Sequence, residues 1–175
     1  MKSLKLKLMN EKELIQGCLA QNRLAQKTFY DRYSRAMYTL AYRLTHDFEV
    51  ANDVLQGAFL QAFRNMPTFR SDSTLGAWLK TIVIRTAFKH LKSIKTFDEI
   101  TPSVSDTLID WGDTLDAEYL EKAIQSLPDG FRAVFVLIEI EGYTHKEVGD
   151  MLGISEGTSK SQLFYAKQKL RKILT

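Results

Sequence analysis

From Thr144 onward the chain concentrates side chains suited to an anionic, hydrogen-bonding polymer. Gly157 to Thr175 holds five bases and no acid. Ser155, Thr158, Ser161, Gln162 and Tyr165 add hydroxyl, amide and phenol groups among them. A glutamine can pair bidentately with adenine, and a lysine such as Lys160 neutralises a phosphate without reading sequence. Their spacing fits one helix from Glu156 to Leu174. With Leu163, Ala166, Leu170 and Ile173 inward, Thr158, Ser161, Gln162, Tyr165 and Lys169 are expected to face outward. Upstream, Thr144 and Glu147 have capping-box spacing. Gly149 allows a close helix crossing, Gly153 supplies a turn, and Ser155 caps the next helix, which together make a helix-turn-helix pattern. Two helices joined by a glycine turn also occur as ordinary packing hairpins. The acid-free tail tilts the pattern toward DNA.

Other chemistries find little support. His46, His90 and His145 are widely separated, and none joins a Cys or carboxylate at metal-ligand spacing. Cys18 lies on an apolar helix stripe, the setting of a core residue rather than a nucleophile. No glycine-rich loop could cradle a phosphate. The sequence therefore predicts no enzyme, no catalytic residue, no metal, no cofactor and no small-molecule substrate.

The elements that position these groups all read as helices. Asn10 with Glu13 marks a start, followed by Leu14, Cys18 and Leu19 as an apolar stripe. Gln21–Leu44 repeats Phe29, Tyr33, Leu40, Ala41 and Leu44, and a third helix after Asp47 carries Val50, Val54, Ala58, Ala62 and Phe63. Pro67 and Arg70–Ser73 interrupt it, and Ser73 is expected to cap a fourth helix with Leu75, Leu79, Ile82, Val83 and Thr86 inward. Helices over Asp116–Ser126 and Asp129–Ile140 precede the helix-turn-helix, with Gly142 closing the second.

Charge divides the chain. Residues through Thr96 hold 16 Lys+Arg against 7 Asp+Glu, and Phe97 to Glu121 holds eight acids and no base. Ser93–Leu115, with Pro102 and no helical period, is expected to be an acidic flexible linker. The fold class is thus all-α, with two small helical domains, 10–92 and 116–175, joined by the linker 93–115. A single cysteine fits a reducing compartment, and the basic Met1–Leu8 stretch lacks the apolar run of an export signal. No apolar run is long enough for membrane insertion. A cytoplasmic location is expected.

Two motif sets carry a family resemblance. Leu127-Pro128, Phe131–Phe135, Glu141–Thr144 and Gly153–Thr158 resemble the promoter-binding region of bacterial sigma factors of the extracytoplasmic-function class. Glu49–Gln56 is similar to that family's polymerase-binding helix, and Phe69–Ser71 with Trp78–Val83 to its strand-opening segment. The resemblance implies a non-catalytic subunit that binds core RNA polymerase and directs it to promoter DNA. Asn52, Asp53 and Gln56 would meet the polymerase. Phe69, Arg70 and Ser71, with Trp78, Lys80, Arg85 and Lys89, would work at the minus-ten element. Ser155, Thr158 and Lys160 would hold phosphates of the minus-thirty-five element, while Ser161, Gln162 and Tyr165 read its bases. An anti-sigma factor is a further partner the resemblance allows. The chain departs from the family pattern at Ser159, usually apolar, at Gln162, usually arginine, at Arg85, where asparagine is common, and at Gly57, usually acidic. The rival reading is a stand-alone helix-turn-helix regulator with an N-terminal partner-binding domain, normally a symmetric dimer, for which no heptad seam appears.

Overall fold

Side-chain caps decide where the helices begin. A computed structural model describes residues 9–94 and 117–174, and among these every regular element is helical. Helix α1, Glu11–Leu19, starts at a reciprocal box: Asn10 Oδ1 accepts from the Glu13 N–H at 2.9 Å, and Glu13 Oε2 from the Asn10 N–H at 3.0 Å. Asn22 caps α2, Arg23–Thr45, through the N–H groups of Leu24 and Ala25. Asp47 caps α3, Phe48–Asn65, which runs into a 3-10 turn, Met66–Thr68. For α4, Leu75–Ile94, the cap is Thr74, whose Oγ1 accepts from the Ala77 N–H at 3.2 Å. Ser73, the expected cap, lies one residue too early for that three-residue reach, and its hydroxyl donates to the Thr74 carbonyl instead.

The described residues form two units. The first runs to Tyr42 and resumes over Asp47–Ala87; the second holds Arg43–His46 and the described chain from Phe88 on. The expected boundary at residue 92 thus falls earlier by contact. Ser93 is helical, ending α4 with Ile94, so the linker does not begin there; the remaining expected linker, 95–115, lies outside the described residues.

In the first unit Leu14, Phe29, Ala41, Val54, Ala58, Leu79 and Val83 are fully buried. The Phe29 ring meets Tyr33, Phe59 and Phe63 edge-on with centroids 5.3–5.6 Å apart. Leu19 does not join this core. Leu14 and Cys18, one turn apart, face inward, and Leu19 is 47% exposed.

The second unit comprises α5 (Ala117–Gln125), α6 (Asp129–Phe135), α7 (His145–Leu152) and α8 (Glu156–Leu174), with α5, α6 and α7 packed on α8. The expected single helix to Ile140 widens into a π turn over Val136–Ile140, after which Gly142 at φ +76° ends it. Leu163, Ala166 and Leu170 are buried as expected, but Ile173 in the last turn is 40% exposed.

Two glycines make opposite demands. A Cβ on Gly57 would meet only Thr86 Cγ2 at 3.6 Å, whereas one on Gly149 would sit 2.9 Å from the Ile154 carbonyl oxygen. Gly57→Ala should raise unfolding stability by about 0.5–1 kcal/mol through helix propensity. Gly149→Ala should lower it by about 1–3 kcal/mol through forced backbone movement. Denaturant titration of both variants checks the signs.

Candidate promoter and polymerase interfaces

The helix-turn-helix is built from short local bonds. Glu147 Oε2 accepts from the Thr144 N–H at 2.8 Å and the Thr144 hydroxyl at 2.7 Å, while Thr144 Oγ1 accepts from the Glu147 N–H. The backbone bond, then the hydroxyl bond, holds the Glu147 carboxyl below its ordinary range. Gly153 takes the left-handed conformation at φ +66°, and the Ile154 N–H returns to the Gly149 carbonyl at 3.1 Å. Ser155 Oγ then accepts from the Thr158 N–H at 2.9 Å and shares a 2.8 Å hydrogen bond with the Thr158 hydroxyl. Both hydroxyls therefore stand at the start of α8, where free N–H groups and the helix dipole favour anions. Lys160 pairs with Glu156 at 2.8 Å with both side chains about half exposed. That hydrogen bond is the leading cause of a lowered Glu156 carboxyl pKa.

The expected reading face is only partly outward. Gln162 and Ser161 are buried, 6% and 5% exposed. Gln162 lies three residues after buried Ser159 and four before buried Ala166, so it flanks the inward stripe rather than opposing it. Its Oε1 is buried without a hydrogen-bond partner. The Ser161 hydroxyl turns back onto the Gly157 and Thr158 carbonyls at 3.1 Å. Tyr165 is half-buried and stacks at 5.9 Å on Phe131, over which the Lys169 ammonium sits at 6.0 Å. Thr158 is half-buried; Ser155 and Lys160 are exposed.

Two residues lie outside the expected set. Ser159, fully buried, has its Oγ 2.9 Å from His145 Nδ1, joining α8 to the first turn of α7. Arg132, 2% exposed, donates to the Leu127 carbonyl at 2.6 Å and the Asp129 carboxylate at 2.7 Å. A buried guanidinium needs such partners. The one sequence signal for each was a polar residue inside an apolar pattern.

In the first unit Asn52, Asp53 and Gln56 are all exposed on α3, with Asn52 Nδ2 donating to the Phe48 carbonyl at 2.9 Å. Leu60, one turn past Gln56, is 58% exposed on the same helix. Phe69 is half-buried with its ring 5.1 Å from half-buried Trp78, while Arg70–Ser73 is exposed and Ser71 sits at φ +60°. Spacings of seven and four place Arg85 and Lys89, both exposed, on the Trp78 face of α4, Lys89 lying past the Ala87 limit of the first unit. Lys80 falls off that face and is half-buried. Phe63 is half-buried against Phe29 and Phe59.

Cys18 is 6% exposed, and burial pushes its thiol pKa up. Among the described residues no group of three or more His, Cys, Asp or Glu could hold a metal ion, and no helix is long and apolar enough to cross a membrane.

Comparison with known proteins bears on both units. The sequence profile of Sigma-70 region 2 matches residues 29–97, and that of Sigma-70 region 4 matches residues 117–170. The chain is 30% identical over 159 residues to the RNA polymerase sigma-H factor of Pseudomonas aeruginosa, covering 82% of each chain. It is 29% identical over 170 residues to the ECF RNA polymerase sigma factor SigM of Mycobacterium tuberculosis, covering 94% of this chain and 85% of the relative. The chain belongs to the sigma factors of the extracytoplasmic-function class. The fold agrees with that of the sigma factor RpoE of Bartonella quintana, solved with the anti-sigma factor NepR, at a TM-score of 0.58 and 24% identity over 85% of this chain and 95% of that one. It also agrees with that of CnrH, solved with the cytosolic domain of CnrY, at 0.56 and 22% over 94% and 96%. In this sigma factor the region 2 match begins at Phe29, which leaves α1 in front of it.

The lowered Glu147 pKa fixes a sign. Stability from this cap is present above the unfolded carboxyl pKa, about 4.3, and is lost as pH falls through the lower folded value. Acid melts of wild type and Glu147→Gln should diverge at high pH and converge on acidification. A constant difference would show that the charge on Glu147 contributes nothing.

Proposed function

We propose that this sigma factor binds core RNA polymerase through α3 and brings it to promoters whose two elements meet the two units. The observation that carries the reading is that the motifs of both regions occur in order, each with a surface-accessible set: Asn52, Asp53 and Gln56 on α3, Arg70 and Ser71 beside the Phe69–Trp78 pair, and Ser155 and Lys160 at the start of α8. A lone DNA-binding regulator has no use for the first two. Substrate chemistry and the catalytic metal belong to the polymerase, so the chain itself needs neither cofactor nor catalytic residue. The cytoplasm, where polymerase and promoter are found, is its place of action.

At the minus-ten element Phe69 and Trp78 supply aromatic faces for an unpaired base, and Arg70, Ser71, Arg85 and Lys89 supply polar and cationic contacts. Lys80, two residues from Trp78 and so turned away from that face, drops out of this surface. At the minus-thirty-five element Ser155, Thr158 and Lys160 hold phosphates. An exposed ion pair is worth at most about 1 kcal/mol, so a phosphate can take Lys160 from Glu156. Gln162 remains the base reader of the proposal, with Tyr165 beside it. Its Oε1 is buried and lacks a donor, so base reading requires the side chain to rotate out of the core flank into the groove, where the N6 amino group of adenine would supply that donor. Ser161 drops out of base reading, since its hydroxyl hydrogen is used within the helix. The structural neighbour solved with the anti-sigma factor NepR extends the reading to a protein inhibitor of that kind.

Replacing Asp53 and Gln56 together with alanine should weaken core polymerase binding at least about tenfold, the loss of about 1.4 kcal/mol expected for two interface contacts. Both side chains are exposed, so helicity should be unchanged. Binding at wild-type affinity would remove α3 from the interface.

Gln162→Ala, assayed as holoenzyme across a library of upstream sequences, should relax preference at one position by about 1–3 kcal/mol. If every preference survives and only thermal stability changes, Gln162 is a flank residue of the core and nothing more.

A further inference from the structure

We propose that α1 is a positioning element for promoter opening, with Glu11 as its working residue. This rests on the reading above that the Phe69–Ser73 loop acts on unpaired DNA. Helix α1 precedes the matched part of region 2, yet it reaches both ends of that loop. At the far end, Glu11 Oε1 accepts from the Leu75 N–H at 3.1 Å. That N–H is one of the first four of α4, which have no partner within their own helix. Thr74 serves the Ala77 N–H from inside the loop, so the start of α4 is capped twice, once locally and once by α1. At the near end, the Met66–Thr68 turn packs against α1, and Cys18, Leu19, Met66 and Pro67 share the wall of a cleft of about 350 Å³.

Met66 and Leu75, on either side of the loop, are 2% and 0% exposed, whereas Arg70–Ser73 between them is exposed. The loop is therefore suspended between two fixed points, both in contact with one short helix. That helix is itself held firmly. Arg32 donates to the Met9 carbonyl at 2.6 Å, and Gly17 lies so close to α2 that an added Cβ would meet Ala25 Cβ. Trp78 stands in the first turn of α4 with its ring against Phe69. A shift of the α4 start thus carries the aromatic pair with it. Glu11 touches no DNA in this scheme; it acts through the backbone that carries Trp78.

The test uses holoenzyme formed from core polymerase and the full chain, measuring polymerase affinity and the rate at which promoter thymines become single-stranded. Glu11→Ala should leave affinity within about twofold and slow opening about fivefold, the factor for one lost cap bond. Glu11→Gln keeps an acceptor oxygen and should restore opening to within about twofold of wild type. Phe69→Ala serves as the control for the loop and should slow opening in any case. Normal opening by Glu11→Ala beside slow opening by Phe69→Ala would overturn the role of α1 and leave the loop reading intact. Normal opening by Phe69→Ala would overturn both. Parallel loss of affinity and opening in Glu11→Ala, or no rescue by Gln, would reduce Glu11 to a support of the fold.

Discussion

At Gly149 the backbone of α7 comes so near the turn that the Ile154 carbonyl oxygen would lie 2.9 Å from any Cβ. The same residue's carbonyl accepts the Ile154 N–H, and Gly153 between them takes a left-handed turn. These three conditions fix the direction in which α8 leaves the turn. Everything proposed for the upstream element follows from that direction: Ser155 caps α8, Thr158 closes on it, and the Leu163–Ala166–Leu170 stripe meets its partners. Helix α7 has only eight residues, too few to persist alone in water. Its capping box at one end and buried Val148 and Leu152 hold it in place.

The capped starts were legible because they are local. Asn10 with Glu13, Thr144 with Glu147, and Ser155 each act within three residues and form as the pattern requires, whereas Ser73 stands one residue before the cap that forms, Thr74. The inner stripes were legible for the same reason. What failed to show depends on partners distant in the chain or on side chains that turn back. With the inward stripe drawn only through Leu163, Ala166, Leu170 and Ile173, Gln162 and Ser161 are expected outward; the buried face is wider and takes in Ser159. Helix geometry sets Gln162 beside Ser159 and Ala166, and Ser161 bonds to its own helix. Ser159 reads as a misfit in an apolar stripe until His145, 14 residues earlier, supplies its partner. Arg132 likewise reads as surface charge until the Leu127 carbonyl and Asp129 carboxylate close around it. The π turn at Val136–Ile140 has no periodic signature distinct from the α-helix it continues.

The electrostatics fit a chain that meets DNA only as part of a larger assembly. Of the five bases in the acid-free tail, Lys160 is paired with Glu156 and Lys167 with Glu139, each at 2.8 Å. A few exposed cations on one helix give weak, salt-sensitive attraction rather than tight independent binding. The first unit adds Arg70 and Arg85, but on a surface whose proposed target is an unpaired strand. Specificity in such a molecule comes from holding both units on a common frame, where the second contact becomes effectively intramolecular.

The most direct measurement is protection of a promoter fragment by the chain alone, by core polymerase alone, and by both together at physiological salt. The account predicts sequence-selective protection over both promoter elements only when chain and core polymerase are combined. Tight, selective protection by the chain alone, with core polymerase adding nothing, would contradict it.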